Sequence, residues 1–202
     1  QSRSDENFKS FVPVLSEVVN LKRREAEALS SSNLYDALLN DFEPGMTTKK
    51  LDKIFEKMRP RLISVRDKAL GGAPAPRIEG LFSKDLQLSL SNKIADLFGY
   101  DFNRGRLDLA VHPFSSGSGD DVRITTRVME NDPFNCLYST IHEVGHATYE
   151  QNINHDYSLT PLGAGVSMGV HESQSRIYEN QIGRSKAFTQ FLFHEMLDMF
   201  GE

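Results

Sequence analysis

Three residues in the stretch D-P-F-N-C-L-Y-S-T-I-H-E-V-G-H-A-T-Y-E-Q carry chemistry: His142, Glu143 and His146. On a helix the two histidines lie one turn apart on the same face, so two imidazoles can grip one divalent ion. Glu143 stands beside them as a base that can take a proton from water. Catalytic zinc takes three protein ligands and keeps one position open, so a third ligand must come from elsewhere. Glu150 continues the same face, but eight residues place it roughly 12 Å along the axis, too far to join. A third histidine in the H-x-x-G-x-x-H pattern is excluded, because Ala147 to Asn152 do not supply it.

The remaining candidates for the third ligand lie downstream. His155 and Asp156 fall in a loop, and Glu172 falls in H-E-S-Q-S-R near the start of the next helix. A helix returning antiparallel brings its first turns beside the central one, which favours Glu172, with Glu179 two turns later in reserve. Arg176 lies one turn beyond Glu172 and can orient its carboxylate; a plain i,i+4 ion pair reads the same in sequence. His171 reads either as a helix-surface histidine or as a contact to substrate or a developing oxyanion. Gly145, costly inside a helix, leaves bare backbone where another segment or a substrate can approach.

The elements that must position these groups are mostly helices. Residues 5–29 carry a helical apolar pattern with Asp5 as a candidate cap and Pro13 as the expected kink or delayed start. Residues 34–42 form a short helix. Thr47 or Thr48 caps the next one, which Pro60 kinks or ends before the pattern resumes to about Leu70. G-G-A-P-A-P over residues 71–76 is a connector inside one domain, dividing N-terminal helices (1–70) from the motif-bearing part (71–202). Ser83 caps a helix with Leu86, Leu90, Ile94 and Leu97 on its buried stripe, ending at Gly99. Residues 106–111 and 122–129 alternate and read as an antiparallel strand pair joined by the turn-rich S-S-G-S-G-D. Asp132 caps the central helix and Pro133 opens it. Two further helices follow, over residues 166–181 and 185–200. The fold class expected is mainly α, a helical zincin-type metallopeptidase core with a small antiparallel β element beside the metal site.

Composition narrows the function classes. With 39% hydrophobic and 25% charged residues the chain can build a packed core. A net charge of −5 without a basic block argues against nucleic acid as partner. No apolar run reaches the roughly 20 residues of a membrane span, and the polar first residues lack a signal-peptide pattern. Cys136 is the only cysteine, so no internal disulfide forms, which fits a reducing, cytoplasmic setting.

Four ordered motifs add specificity: H-P-F (His112, Pro113, Phe114), D-V-R-I-T (121–125), H-E-V-G-H (142–146) and H-E-S-Q-S-R (171–176). Together with F-S-K-D-L-Q-L-S-L-S-N-K-I-A-D-L-F-G-Y, E-N-Q-I-G-R-S and Y-D-A-L-L-N-D-F-E-P-G-M-T, they resemble the thermostable metallocarboxypeptidases, metallopeptidase family thirty-two, along nearly the whole chain. The resemblance implies zinc, sometimes cobalt, on His142, His146 and Glu172, with Glu143 as catalytic base. It implies release of single C-terminal residues from peptides, proline usually excepted, by a helical homodimer with a deep groove. Two later family motifs, Ile/Asn-Arg-x-x-Ala/Ser-Asp and Gly-x-x-Gln-Asp-x-His-Trp, find no match, and the chain has no Trp. It therefore reads as an internal fragment with a complete ligand set and an incomplete groove. Arg123 is left as a candidate for the substrate carboxylate, or as a partner of Asp120 or Asp121. His112 is a candidate substrate contact. An H-E-x-x-H endopeptidase and an inactive metal-binding helical module are the alternative readings.

Overall fold

The computed structural model describes residues 2–30, 32–76 and 78–201. They form two compact units, Gln1–Arg77 and Ile78–Glu202. The first holds three helices, α1 (Phe8–Leu29), α2 (Leu34–Phe42) and α3 (Thr48–Leu70). Asn7, not Asp5, caps α1, its side chain accepting from the Ser10 amide. Neither proline interrupts its helix: Pro13 and Pro60 sit inside α1 and α3. Each removes one helical donor, but the carbonyls deprived of it belong to exposed Lys9 and Glu56, where water can serve. Thr47 caps α3, and Asp36 accepts from the Thr48 amide, tying α2 to its start. Ala26 is the one fully buried side chain among the described residues of this unit, while Phe8, Val14, Phe55 and Leu62 are more than half exposed.

The second unit is organised on α5 (Pro133–Gln151), flanked by α4 (Lys84–Leu97), α6 (Met168–Arg176) and a three-stranded sheet, with α7 (Lys186–Phe200) packed on α4. Asp132 caps α5 by accepting from the Asn135 amide, and Pro133 occupies its first turn, where a missing N–H costs nothing. One apolar cluster joins Leu90 and Ile94 of α4 to Leu137 and Ile141 of α5 and to Phe188 and Leu192 of α7. A second joins Ala95 and Tyr100 to Val122 and Ile124 of the sheet and to Val144 and Ala147 of α5. The chemistry-bearing helix is thus held on two sides by close-packed side chains, and its histidines inherit that rigidity.

The sheet differs from the expected strand pair. Strand β1 (Leu107–Leu109) pairs parallel to β3 (Asp121–Thr126), with Leu107 opposite Ile124. The antiparallel partner of β3 is β2 (Ser115–Ser118), formed by the serine–glycine stretch that reads as a turn, with Ser118 opposite Asp121. Its side chains are mostly exposed, so β2 carries no apolar alternation. Gly117 belongs there for close approach: a Cβ on it would stand 1.9 Å from the Asp121 carbonyl oxygen.

Gly145 marks the crossing of α5 and α6. A Cβ at this position would lie 2.5 Å from the Ser175 Cα, a backbone atom that a rotamer change cannot move. At an exposed helical site Gly→Ala stabilises by about 1 kcal/mol through propensity. Here Gly145→Ala is expected to reverse that sign, lowering stability by about 1–3 kcal/mol through overpacking. A thermal melt reads it, and a raised melting temperature refutes the close crossing.

Candidate metal centre

His142 and His146 project from α5 with ring centroids 5.0 Å apart. Glu172 enters from α6, whose first turn Ser167 caps by accepting from the Val170 amide. Its Oε2 lies 3.6 Å from His142 Nε2 and 3.3 Å from His146 Nε2. The three ligand atoms fall within 4.8 Å of one another, and this His142–His146–Glu172 group is of a kind that can hold a metal ion. An ion about 2.0–2.1 Å from each of several tetrahedral donors sets those donors roughly 3.3 Å apart, so the spacing fits. Two nitrogens and one carboxylate oxygen are also the donor types that suit zinc.

The other nitrogen of each imidazole is engaged. His142 Nδ1 is 2.9 Å from Glu179 Oε2, and His146 Nδ1 is 2.6 Å from His171 Nδ1. With a proton on each Nδ1, both Nε2 lone pairs point to the space beside Glu172, the arrangement a ligand histidine needs. Glu179 thus stands behind His142. It sits in a single π-helical turn (Ile177–Ile182) that continues α6, a feature frequent at functional sites. Arg176 donates to Glu172 Oε1 at 2.8 Å and to Glu179 Oε2 at 3.1 Å, and Arg184 donates to Glu179 Oε1 at 3.1 Å. Arg176 therefore does what its i,i+4 spacing allows, holding one oxygen of Glu172 and leaving the other towards the histidines.

Electrostatics match this layout. Burial opposes ionisation of Glu179, yet hydrogen bonds from His142 and Arg184 outweigh it and hold its carboxyl below the usual range. Burial, with His142 and His171 nearby, pushes the His146 imidazole down to about 4, so it is neutral and able to ligate at neutral pH. Glu143 is only 7% exposed. Burial raises its carboxyl to about 7, with His142 and His112 opposing and Glu172 adding to the rise. A buried carboxyl with that affinity for protons is suited to passing one back and forth.

The remaining candidates are placed as follows. His112, exposed, directs Nδ1 to the Pro113 carbonyl oxygen at 2.7 Å and acts electrostatically on Glu143. Arg123 is committed to Asp121 by two bonds, Nε to Oδ1 at 2.8 Å and Nη2 to Oδ2 at 2.9 Å. His155 faces Asp120 at 4.0 Å, and it and Asp156 lie in a short 3-10 turn apart from the His142–His146–Glu172 group. His171 has both ring nitrogens engaged, by His146 and by Glu150 Oε1 at 2.7 Å. Glu150 is the residue that sequence reasoning missed. Its distance rules it out as a ligand, and its contact with His171 depends on the course of residues 152–165, for which no spacing rule exists.

A mainly helical fold in which facing helices bring an H-E-x-x-H pair and a downstream glutamate together defines a zincin-type metallopeptidase. The sequence profile of the Carboxypeptidase Taq (M32) metallopeptidases matches residues 1–202, and the chain belongs to that family. It is 41% identical over 193 residues to Carboxypeptidase 1 of Bacillus subtilis, covering 93% of this chain and 38% of that protein. It is 38% identical over 200 residues to Thermostable carboxypeptidase 1 of Pyrococcus furiosus, covering 96% and 40%. Among solved structures, the M32 carboxypeptidase from Deinococcus radiodurans superposes with a TM-score of 0.87 at 41% identity, over 99% of this chain and 41% of that one. The chain thus spans about two-fifths of the length of the relatives it matches. No helix among the described residues is long and apolar enough to cross a membrane.

Proposed function

We propose that this chain carries the metal centre and catalytic base of a zinc-dependent carboxypeptidase, with His142, His146 and Glu172 as ligands and Glu143 as general base and acid. The observation that carries the reading is the convergence of two Nε2 atoms on one Glu172 oxygen at 3.3 and 3.6 Å. A zinc ion held by His142, His146 and Glu172 would supply polarisation of a peptide carbonyl and a more acidic water, as would cobalt. Glu143 takes the proton from the attacking water and returns it to the leaving amine, so no covalent acyl-enzyme forms. His146 stays neutral, and Glu179 and His171 accept the Nδ1 protons of His142 and His146. Arg176 keeps Glu172 Oε2 turned to the histidines by holding Oε1. The family likeness extends the proposal to peptide substrates and to a homodimer, and the single buried Cys136 suits a reducing cytoplasm.

Two peptides of the same sequence test the reaction class, one with a free C-terminal carboxylate and one amidated. Stepwise release of single amino acids from the free acid only, abolished by a chelator and restored by zinc, is expected. Internal fragments from both peptides point instead to an endopeptidase. A protein that binds one zinc yet cleaves neither is the inactive metal-binding module.

A further inference from the structure

A chain of polar contacts runs from His146 away from the metal group into the protein. His146 Nδ1 faces His171 Nδ1 at 2.6 Å, and His171 Nε2 faces Glu150 Oε1 at 2.7 Å. Only one assignment of protons keeps the His146 Nε2 lone pair available. His146 carries its proton on Nδ1 and donates it to His171 Nδ1. His171 then carries its proton on Nε2 and donates to the Glu150 carboxylate. Every member of the chain is largely shielded, with side-chain exposures of 18% for His146, 23% for His171 and 14% for Glu150.

Packing holds the middle member. The Tyr149 ring lies 4.7 Å from the His171 ring, centroid to centroid. A Cβ on Gly165 would stand 2.9 Å from His171 Cδ2 and 3.4 Å from Glu150 Oε1, so the loop after α5 lies directly against the pair. A surface histidine has no need of two engaged nitrogens, a ring neighbour and a bare-backbone lid. The two ligand histidines are also supported differently: Glu179 touches His142 directly, whereas the carboxylate behind His146 acts through a second imidazole.

We infer that His171 and Glu150 form a positioning relay for His146, fixing its tautomer and ring plane so that Nε2 is presented to the metal. The inference rests on the metal-centre reading above. Neither residue touches substrate or metal; Glu150 acts only through His171. Loss of an outer partner of a ligand histidine costs typically about 10–100-fold in metal affinity.

The test is the zinc dissociation constant, measured by competition with a chromophoric chelator, for the protein and four variants. His171→Ala is expected to weaken zinc about 10–100-fold and Glu150→Gln about tenfold. Because the relay is serial, Glu150→Gln in the His171→Ala background is expected to add less than about twofold, a non-additivity that independent structural roles do not produce. His171→Asn places an amide oxygen near the lost Nδ1 and is expected to recover much of the affinity. Zinc binding by Glu150→Gln within about twofold of the parent overturns the relay, as does an undiminished Glu150 effect without His171 or no recovery with Asn. Glu150→Gln preserves size and shape, so it decides the matter even where His171→Ala does not fold. If the folded parent itself takes up no zinc, the metal-centre reading falls and the relay with it. One zinc in the parent with unchanged variants removes the relay alone.

Discussion

Glu143→Gln is expected to lower peptide hydrolysis by about 10²–10⁴-fold, the contribution typical of a positioned general base, while zinc stays bound. Gln keeps the size and one acceptor oxygen but cannot accept and return a proton. Because Glu143 is not one of the three converging residues, the ligand set is untouched. A second, opposite-signed effect serves as control. In the chelator-treated protein, burial raises the Glu143 carboxyl to about 7 from its ordinary 4.5. The folded state then holds a proton that the unfolded chain has lost, so stability falls as pH rises from about 4.5 to about 7 and stays reduced above that. An interval of that size corresponds to about 3 kcal/mol. Glu143→Gln removes this loss, so the metal-free variant is expected to melt higher than the metal-free parent at pH 8 and about equally at pH 4. Stoichiometric zinc, lost turnover and a raised apoprotein melting temperature together identify a base that is destabilised to do its work. Retained turnover refutes the role.

The parts of this site legible in the sequence are those set by local geometry. His142 and His146 four apart, Asp132 before Pro133, and Arg176 one turn after Glu172 are all consequences of a helical repeat, and the structure shows each. The close crossing at Gly145 was legible as bare backbone, though only the structure shows Ser175 as the segment that meets it. What could not be read is what depends on chain paths between elements. The strand β2 has no apolar pattern because its faces are exposed, so its pairing with β3 left no trace beyond glycines that also suit a turn. Pro13 argues for a kink or a late start and Pro60 for a kink or an end, but a lost donor at an exposed helical turn costs little enough for the helices to run on. Glu179 is the instructive case. Counting two helical turns from Glu172 makes it a reserve ligand; in the structure it lies in the π-turn at residues 177–182 with Oε2 2.9 Å from His142 Nδ1.

That change of role leads to the second large effect. Glu172→Ala is expected to weaken zinc by more than about 100-fold, beyond the 10–100-fold typical of an outer partner, because it removes one of the three proposed ligands. Glu179→Ala is expected to fall inside that outer range, since His142 Nε2 and Glu172 Oε2 remain where they are and only the support behind His142 is lost. The order of the two variants is the decisive quantity. Both carboxylates contact the same histidine, and both are held by Arg176, so any general loosening of the α5–α6 contact weakens them alike. Direct ligation by Glu172 alone separates them. A larger loss with Glu179→Ala assigns the third ligand to the π-turn. Equal losses show that Arg176, bridging the two carboxylates, matters more than either one.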